Sequence, residues 1–225
     1  MKSSPGFEEL RAEIVSCRRC PRLVVYRENV PPTRAYSGLA HWRKPVPGFG
    51  DVGGRLLIIG LAPARTGANR TGRIFTGDAS SRFLVSALHS AGFANQPISE
   101  SADDGLAYSG CYVTAAVKCL PPGDSPLPEE FENCAPFLDA EISLLPELRG
   151  VLALGSSAFR AYLGHLKRAG HQTRGLKFGH GRSYRTPDGV TVYASYHPSP
   201  RNTNTGKLTK PMLVSLLRRL RRELG

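Results

Sequence analysis

The chain alternates short apolar runs with amphipathic stretches, and this alternation constrains its fold more than any other feature. Apolar runs as long as a buried strand cover residues 56–60, 112–116, 151–154 and 190–196. Apolar residues at helical spacing mark residues 80–91, 128–145, 156–169 and 208–224. Strands that alternate with helices are typical of a mainly parallel sheet with helices packed on it. The sequence therefore predicts an α/β domain around a mainly parallel four-stranded sheet.

The length and composition fit one domain. The 225 residues, 40% of them hydrophobic, can bury one substantial core. We expect a single domain over residues 1–225, in which residues 1–54 contribute a cysteine-bearing helix and a long loop (31–54) rich in Pro and Gly. The chain has no apolar run near 18 residues and no N-terminal signal pattern, so we expect a cytoplasmic protein that makes no contact with membranes. We also expect a monomer.

The charge balance indicates a polyanionic partner. The formal net charge is +12, and arginine supplies most of the positive charge. The planar guanidinium suits bidentate contacts to phosphate, which favours nucleic acid. A basic surface that only keeps the protein in solution would give the same composition.

Four of the five cysteines form two pairs. Cys17 and Cys20 are a C-x2-C pair near the end of a first helix, whereas Cys119 and Cys134 bracket a proline-rich loop. Four thiolates can hold either zinc or an iron–sulfur cluster, and the wide second spacing departs from zinc ribbons. Unrelated cysteines buried singly in the core remain the alternative. We expect Cys111 to be a small buried residue within a strand.

A rigid histidine loop follows the last predicted strand. His197 precedes Pro198 and Pro200, which fix φ and remove backbone donors, so the loop should hold the imidazole in one place. Ligands of parallel α/β sheets bind beyond the carboxyl ends of the strands, where this loop should lie. A polar surface or capping histidine is the simpler alternative.

A second candidate segment follows the first predicted strand. It begins with small residues that allow backbone N–H groups to approach a ligand, namely Gly60, Leu61, Ala62, Pro63 and Ala64. An irregular loop with Phe75 and Asp78 comes next. Such a loop is a usual place for a site, although Asp78 could simply cap the next helix and Phe75 could belong to the core.

Taken together, residues 60–64, 72–78, 117–119 and 197–202 resemble the motifs of uracil-DNA glycosylases. The resemblance is closest to the family 5 type, an iron–sulfur relative of the family 4 enzymes, and it covers nearly the whole chain. It implies an α/β/α sandwich that removes uracil and other deaminated bases from single- and double-stranded DNA and leaves an abasic site. It also implies a 4Fe-4S cluster held by Cys17, Cys20, Cys119 and Cys134.

The resemblance also assigns roles to the candidate residues. His197 would hydrogen-bond the departing base, and Asp78 would position water or face the cationic sugar. Phe75 would stack on the flipped base, in a base-binding set completed by residues 60–64 and Ala115. DNA contacts would come from Ser199, Pro200, Arg201, Asn202 and Lys118. Further phosphate attraction would come from Arg65, Arg73, Arg218, Arg219, Arg221 and Arg222, although the last four also lie opposite an apolar helix face.

Two departures from the family 4 pattern predict looser base specificity. Leu61 stands where those relatives have a glutamate, and Ala115 stands where they have an asparagine that binds uracil's edge. We therefore expect hypoxanthine and xanthine as further substrates. Two other protein classes remain open: a non-catalytic protein that binds single-stranded or damaged DNA and has a structural cluster, and a redox protein. Neither has a use for His197 near Phe75 and Asp78.

Overall fold

The computed structural model describes residues 5–225 and contains eight α-helices and six strands over that range. The strands are β1 (Phe49–Gly50), β2 (Leu56–Gly60), β3 (Cys111–Ala115), β4 (Gly150–Leu154), β5 (Ser183–Arg185) and β6 (Thr191–Ser195). The helices are α1 (Pro5–Ser16), α2 (Pro21–Asn29), α3 (Ala68–Thr71), α4 (Ala79–Ser90), α5 (Pro128–Ser143), α6 (Ser156–Arg168), α7 (Pro200–Thr203) and α8 (Lys210–Leu224).

The strands form one sheet in the order β1-β3-β2-β4-β6-β5. The four central strands are parallel, as predicted, and match the four apolar runs within a few residues. The predicted count of four strands was too low, because β1 and β5 pair antiparallel at the two edges. These edge strands are only two and three residues long and lack buried side chains, so no apolar run marks them.

Successive residues of β2 contribute to two separate cores. Leu56 and Ile58 pack into one core, and Leu57 and Ile59 pack into the other. This follows from the pleat, which directs alternate side chains to opposite faces. Helices α4 and α8 cover the first face, whereas α5 and α6 cover the second, with α1 packed on α5. The three-layer α/β/α arrangement implied by the resemblance is therefore present.

The apolar helix faces lie where their spacing predicts. The leucines of α8 are buried, and its arginines 218, 221 and 222 are exposed. The carboxyl end of α8 meets the start of β2, since Arg55 donates to the carbonyl of Leu224. These arginines thus extend toward the end of the sheet opposite the histidine loop, which favours the interpretation as a solvated helix face over one as DNA contacts. No helix among residues 5–225 combines the length and apolarity needed to span a bilayer.

Candidate active site

The carboxyl ends of the parallel strands bring the two candidate segments together. Gly60 pairs with Ala115 at the ends of β2 and β3, and Leu154 pairs with Ser195 at the ends of β4 and β6. His197 follows β6 by two residues, and Leu61 follows β2 directly. Both line one cavity of about 260 Å³, together with Gly155 and Asn202. The cavity therefore lies where parallel sheets bind ligands.

The ring of Phe75 lies next to that of His197, which lines this cavity, with the two centroids 6.1 Å apart. Phe75 has a φ of 48°, in the left-handed region that non-glycine residues rarely adopt. Its ring lies against Gly60, where a Cβ would come within 2.8 Å of the ring carbons. Phe75 is also buried in the core beneath α4. Its position therefore agrees both with a core residue and with a residue that stacks on a base. Backbone strain of this kind is found most often at functional sites.

His197 is a neutral imidazole at physiological pH. Burial lowers its pKa to about 4. Its backbone is held from two sides: Asn202 Nδ2 donates to the His197 carbonyl at 2.8 Å, and Gly155, with a φ of 96°, lies next to the His197 Cβ. A neutral ring fixed in this way can donate one N–H without carrying charge into the site.

Asp78 caps α4, as the simpler interpretation predicted. Its Oδ1 accepts the backbone N–H of Ser81 at 2.8 Å, and the Ser81 hydroxyl oxygen accepts the N–H of Asp78 at 3.0 Å. The other oxygen, Oδ2, lies against Gly67, where a side chain would overlap it. Burial raises the pKa of Asp78, and backbone hydrogen bonds from Ser81 and Ser80 oppose that rise. The carboxylate thus caps the helix with one oxygen and turns the other toward the segment after β2.

The small-residue segment after β2 is held by the neighbouring strand. The carbonyls of Gly60 and Leu61 accept N–H groups from Ala116 and Val117 at 3.0 Å. Pro63 is buried, while Leu61, Ala62 and Ala64 are half-buried. Ala115 is enclosed in the core at the end of β3, and its methyl group offers no polar atom to a ligand.

Lys118 is buried, whereas the predicted contact with DNA needs it at the surface. Its side chain is 1% exposed, and Nζ lies 2.6 Å from Glu141 Oε2 and 2.6 Å from Thr114 Oγ1. It also donates to the carbonyl of Ala115 at 2.9 Å. The sequence could not reveal this pair, because Glu141 lies on α5, far along the chain. Lys118 is a buried structural cation.

Arg73 is a second predicted DNA contact that the structure places in the interior, away from the surface that DNA could reach. It is buried, and its Nη2 lies 2.7 Å from Asp104 Oδ1 and donates to Ser99 Oγ at 3.0 Å. By contrast, Arg65 is only partly buried and donates to the carbonyl of Pro31. Arg65 keeps a position that solvent can reach, and Arg73 does not.

The residues of the predicted DNA-contacting loop differ in orientation. Ser199 is the N-cap residue of α7, and Pro200 occupies its first turn. Pro200 and Arg201 are exposed. Asn202 is directed inward, toward the backbone of His197. The loop therefore exposes Pro200 and Arg201 while Asn202 supports the histidine.

Sequence reasoning missed an aromatic stack beside the cavity. The ring of His180 stacks on Tyr196 with centroids 5.1 Å apart, and Lys207 Nζ lies 4.8 Å from the Tyr196 ring centroid. Burial lowers the pKa of His180. Tyr196 and Lys207 line the same cavity as His197. His180 lies in a glycine-rich loop without a motif, and no local signal distinguishes it.

The four paired cysteines line one small buried cavity: Cys17, Cys20, Cys119 and Cys134. Three of their sulfurs accept hydrogen bonds. Arg27 Nη1 donates to Cys119 Sγ at 2.8 Å, Asn133 Nδ2 donates to Cys20 Sγ at 3.4 Å, and the backbone N–H of Lys118 points at Cys134 Sγ at 3.5 Å. Cys111 lies apart, buried in β3 as predicted.

The donor set fits a cluster ligated by four cysteines. The four cysteines that line this cavity match the ligands of such a cluster in number and kind. Within residues 5–225, no group of three or more His, Cys, Asp or Glu side chains lies close enough together to hold a metal ion. Burial raises the pKa of Cys134 to about 12 and that of Cys119 to about 11, and nearby Arg27 opposes the rise at Cys119. Thiolates here therefore need positive charge beside them.

Comparison with known proteins gives a consistent result. A sequence model of the uracil DNA glycosylase superfamily matches residues 47–221. A type-5 uracil-DNA glycosylase of Pyrobaculum aerophilum is 46% identical, covering 97% of this chain and 94% of the relative. One of Thermus thermophilus is 47% identical, covering 94% of this chain and 95% of the relative. A type-4 uracil-DNA glycosylase of Pyrobaculum aerophilum is 28% identical, with 86% and 83% covered.

Proposed function

Because this chain belongs to the uracil-DNA glycosylase superfamily, we propose that it excises uracil from DNA by hydrolysing the N-glycosidic bond, leaving an abasic site. The observation that carries the proposal is the placement of a neutral His197 beside the ring of Phe75, a residue with a strained backbone, at the carboxyl end of the sheet. A protein that only binds DNA has no need for a rigid neutral donor beside an aromatic face.

His197 supplies the donor that the departing base requires. Cleavage of the glycosidic bond leaves an oxocarbenium-like sugar and an anionic base, so a donor aimed at the base oxygen strengthens as charge develops. One such hydrogen bond contributes about 3 to 4 kcal/mol to transition-state stabilisation. Enzymes supply on the order of 8 to 23 kcal/mol in total, so other groups must contribute.

Asp78 and Phe75 act on the two other parts of the reaction. The charged Asp78 faces the developing sugar cation or orients the attacking water, a usual role of carboxylates in glycosyl hydrolysis. Phe75 stacks on the base after the nucleotide has rotated out of the helix, and stacking of this kind contributes about 1 to 3 kcal/mol. The exposed Pro200 and Arg201 press on the strand and the vacated gap.

The substrate range extends beyond uracil. Leu61 and Ala115 offer no polar group from their side chains, and residues 60–64 together with Ala115 leave base contacts to backbone groups. A site without an asparagine amide to match uracil's edge discriminates less between bases. We therefore assign hypoxanthine and xanthine as further substrates, in single- and double-stranded DNA.

A 4Fe-4S cluster completes the proposal, held by Cys17, Cys20, Cys119 and Cys134. The four sulfurs line one cavity, and three accept hydrogen bonds from buried or partly buried donors. When bound, the cluster would tie the α1–α2 connection to the loop after β3 and to α5. The protein's own residues at this site hold the sulfurs and exclude solvent.

The test is an assay for alkali-labile sites. Purified protein is incubated with an oligonucleotide that contains one deoxyuridine, and with a matched oligonucleotide that contains thymidine. We expect cleavage after alkali with deoxyuridine alone, and its loss in His197→Ala. His89→Ala is the control, because His89 is exposed in the last turn of α4. Binding without alkali-labile sites would replace the proposal with the non-catalytic DNA-binding alternative.

A further inference from the structure

Arg27 is buried next to the cysteine cavity with little charge compensation. Its side chain is 2% exposed, and its Nη1 donates to Cys119 Sγ at 2.8 Å. The carboxylate nearest to it is that of Glu28, at 3.5 Å, which is 37% exposed and makes a shorter ion pair with Arg18. A guanidinium taken out of water at this depth destabilises the fold unless negative charge lies beside it.

The remaining contacts of Arg27 orient it without neutralising it. Nη2 donates to the carbonyl of Cys17 at 3.3 Å, and Nε has no hydrogen-bond partner among residues 5–225. The guanidinium therefore links a cysteine of the first pair with one of the second. Both contacts are directed at the predicted cluster ligands.

We infer that Arg27 is the counter-charge of the cluster: its guanidinium neutralises the thiolates and holds Cys119 in ligand position. The inference rests on the cluster proposed above. Four thiolates bring more negative charge than a cluster core neutralises, which supplies the anion that Arg27 lacks. Donors to the cluster sulfurs raise the reduction potential and stabilise ligand geometry.

Arg19 provides a matched control within the same cavity. It also lines the cavity and has the same charge. However, its side chain is 46% exposed and pairs with Glu13 at 3.1 Å. Solvent screens its charge, so its removal should matter little.

The experiment compares Arg27→Met, Arg27→Lys and Arg19→Met, all purified without oxygen. Iron per chain is measured, followed by the loss of visible absorbance with an iron chelator and by the reduction potential. Far-UV circular dichroism checks the fold. We expect Arg27→Met to lose iron at least ~10-fold faster and to have a lower reduction potential, because removing a positive charge favours the oxidised cluster. Arg27→Lys should be intermediate, and Arg19→Met should match the unchanged protein.

Each outcome decides the inference. An Arg27→Met protein that matches Arg19→Met overturns it while the cluster stands. If Arg27→Met fails to fold, Arg27→Lys decides alone, and an unchanged rate of iron loss and potential overturn the inference. An unchanged protein that carries zinc or no iron overturns both the inference and the cluster. The deoxyuridine assay then tests the proposed excision of uracil independently of the cluster.

Discussion

The Oδ2 atom of Asp78 occupies the space where a side chain on Gly67 would begin. Gly67 combines a φ of −93° with a ψ of −117°, outside the main regions that other residues adopt, so both its backbone and the neighbouring carboxylate favour glycine. Glycine at position 67 therefore leaves the space that Asp78 Oδ2 occupies. It also gives a way to displace the carboxylate without changing its chemistry.

We expect Gly67→Ala to slow single-turnover uracil release at least ~10-fold, because the new methyl group pushes the carboxylate away. The displaced Asp78 should also lose part of its cap, at a cost of about 1 kcal/mol in the free energy of unfolding. Gly53→Ala is the control, since a Cβ there meets its nearest neighbour, Asp51 Oδ1, at 3.6 Å. Equal rates in the two variants would place Oδ2 outside the chemistry.

Asp78→Asn separates the cap from the charge. Asparagine is as good an N-cap as aspartate, so the melting temperature should stay unchanged. Base release at neutral pH should fall at least ~10²-fold, because a neutral amide has no negative charge to stabilise the sugar cation and cannot act as a base toward water. Rates are measured with uracil and with hypoxanthine. Full activity of Asp78→Asn on both bases would mean that only His197 and backbone groups carry out the catalysis.

The pH dependence follows from the two shifted groups. Burial lowers the pKa of His197 to about 4 and raises that of Asp78. Above both pKa values the imidazole is neutral and the carboxylate is charged, so single-turnover rates should reach a plateau on the alkaline side of both groups. The rate should fall as Asp78 gains a proton and His197 becomes charged toward pH 4. An inflection near pH 6.5 that persists in Asp78→Asn would belong to an imidazole with an ordinary pKa and would contradict the lowered pKa of His197.

Lys118→Met tests the buried ion pair. The change leaves Glu141 as a buried carboxylate without its cation, and breaking such a pair costs about 3 to 5 kcal/mol. We expect a large drop in the urea midpoint, and partial recovery in Lys118→Met combined with Glu141→Leu. Lys167→Met, at an exposed position near the end of α6, should unfold like the unchanged protein. Equal urea midpoints for the two lysine variants would contradict the buried ion pair between Lys118 and Glu141.

Cys134→Ser should lose the cluster. The unchanged protein should be brown with about four irons, since four thiolates suit that cluster. The serine variant should lose iron and visible absorption and should melt at a lower temperature. Cys111→Ala, which changes the cysteine outside the cavity, should keep its iron. A colourless protein with one zinc per chain would refute the iron assignment.

The sequence predicts the central fold well because local pattern and long-range packing agree there. The four apolar runs became the parallel strands, and the leucines of α8 became its buried face. The edge strands β1 and β5 escaped prediction, since their short half-exposed segments gain their structure only from pairing.

The site was predicted where motifs are local and mispredicted where partners are distant. The His197 loop and the Phe75 segment carry prolines and glycines that mark irregular backbone, and the sheet brings them together. Lys118 and Arg73 looked like surface cations because their partners, Glu141 and Asp104, lie far along the chain. His180 stacks on Tyr196 through tertiary packing alone.

The cysteine cavity also constrains how the chain is synthesised and matured. Cys17 and Cys20 emerge from the ribosome early, but their cavity is incomplete until Cys134 has followed. Synthesis proceeds at roughly 5 to 20 residues per second, so the first pair waits for seconds as reduced, accessible thiols. Assembly of the proposed cluster would therefore come late, and until then the two thiols would be open to oxidation or to the wrong metal.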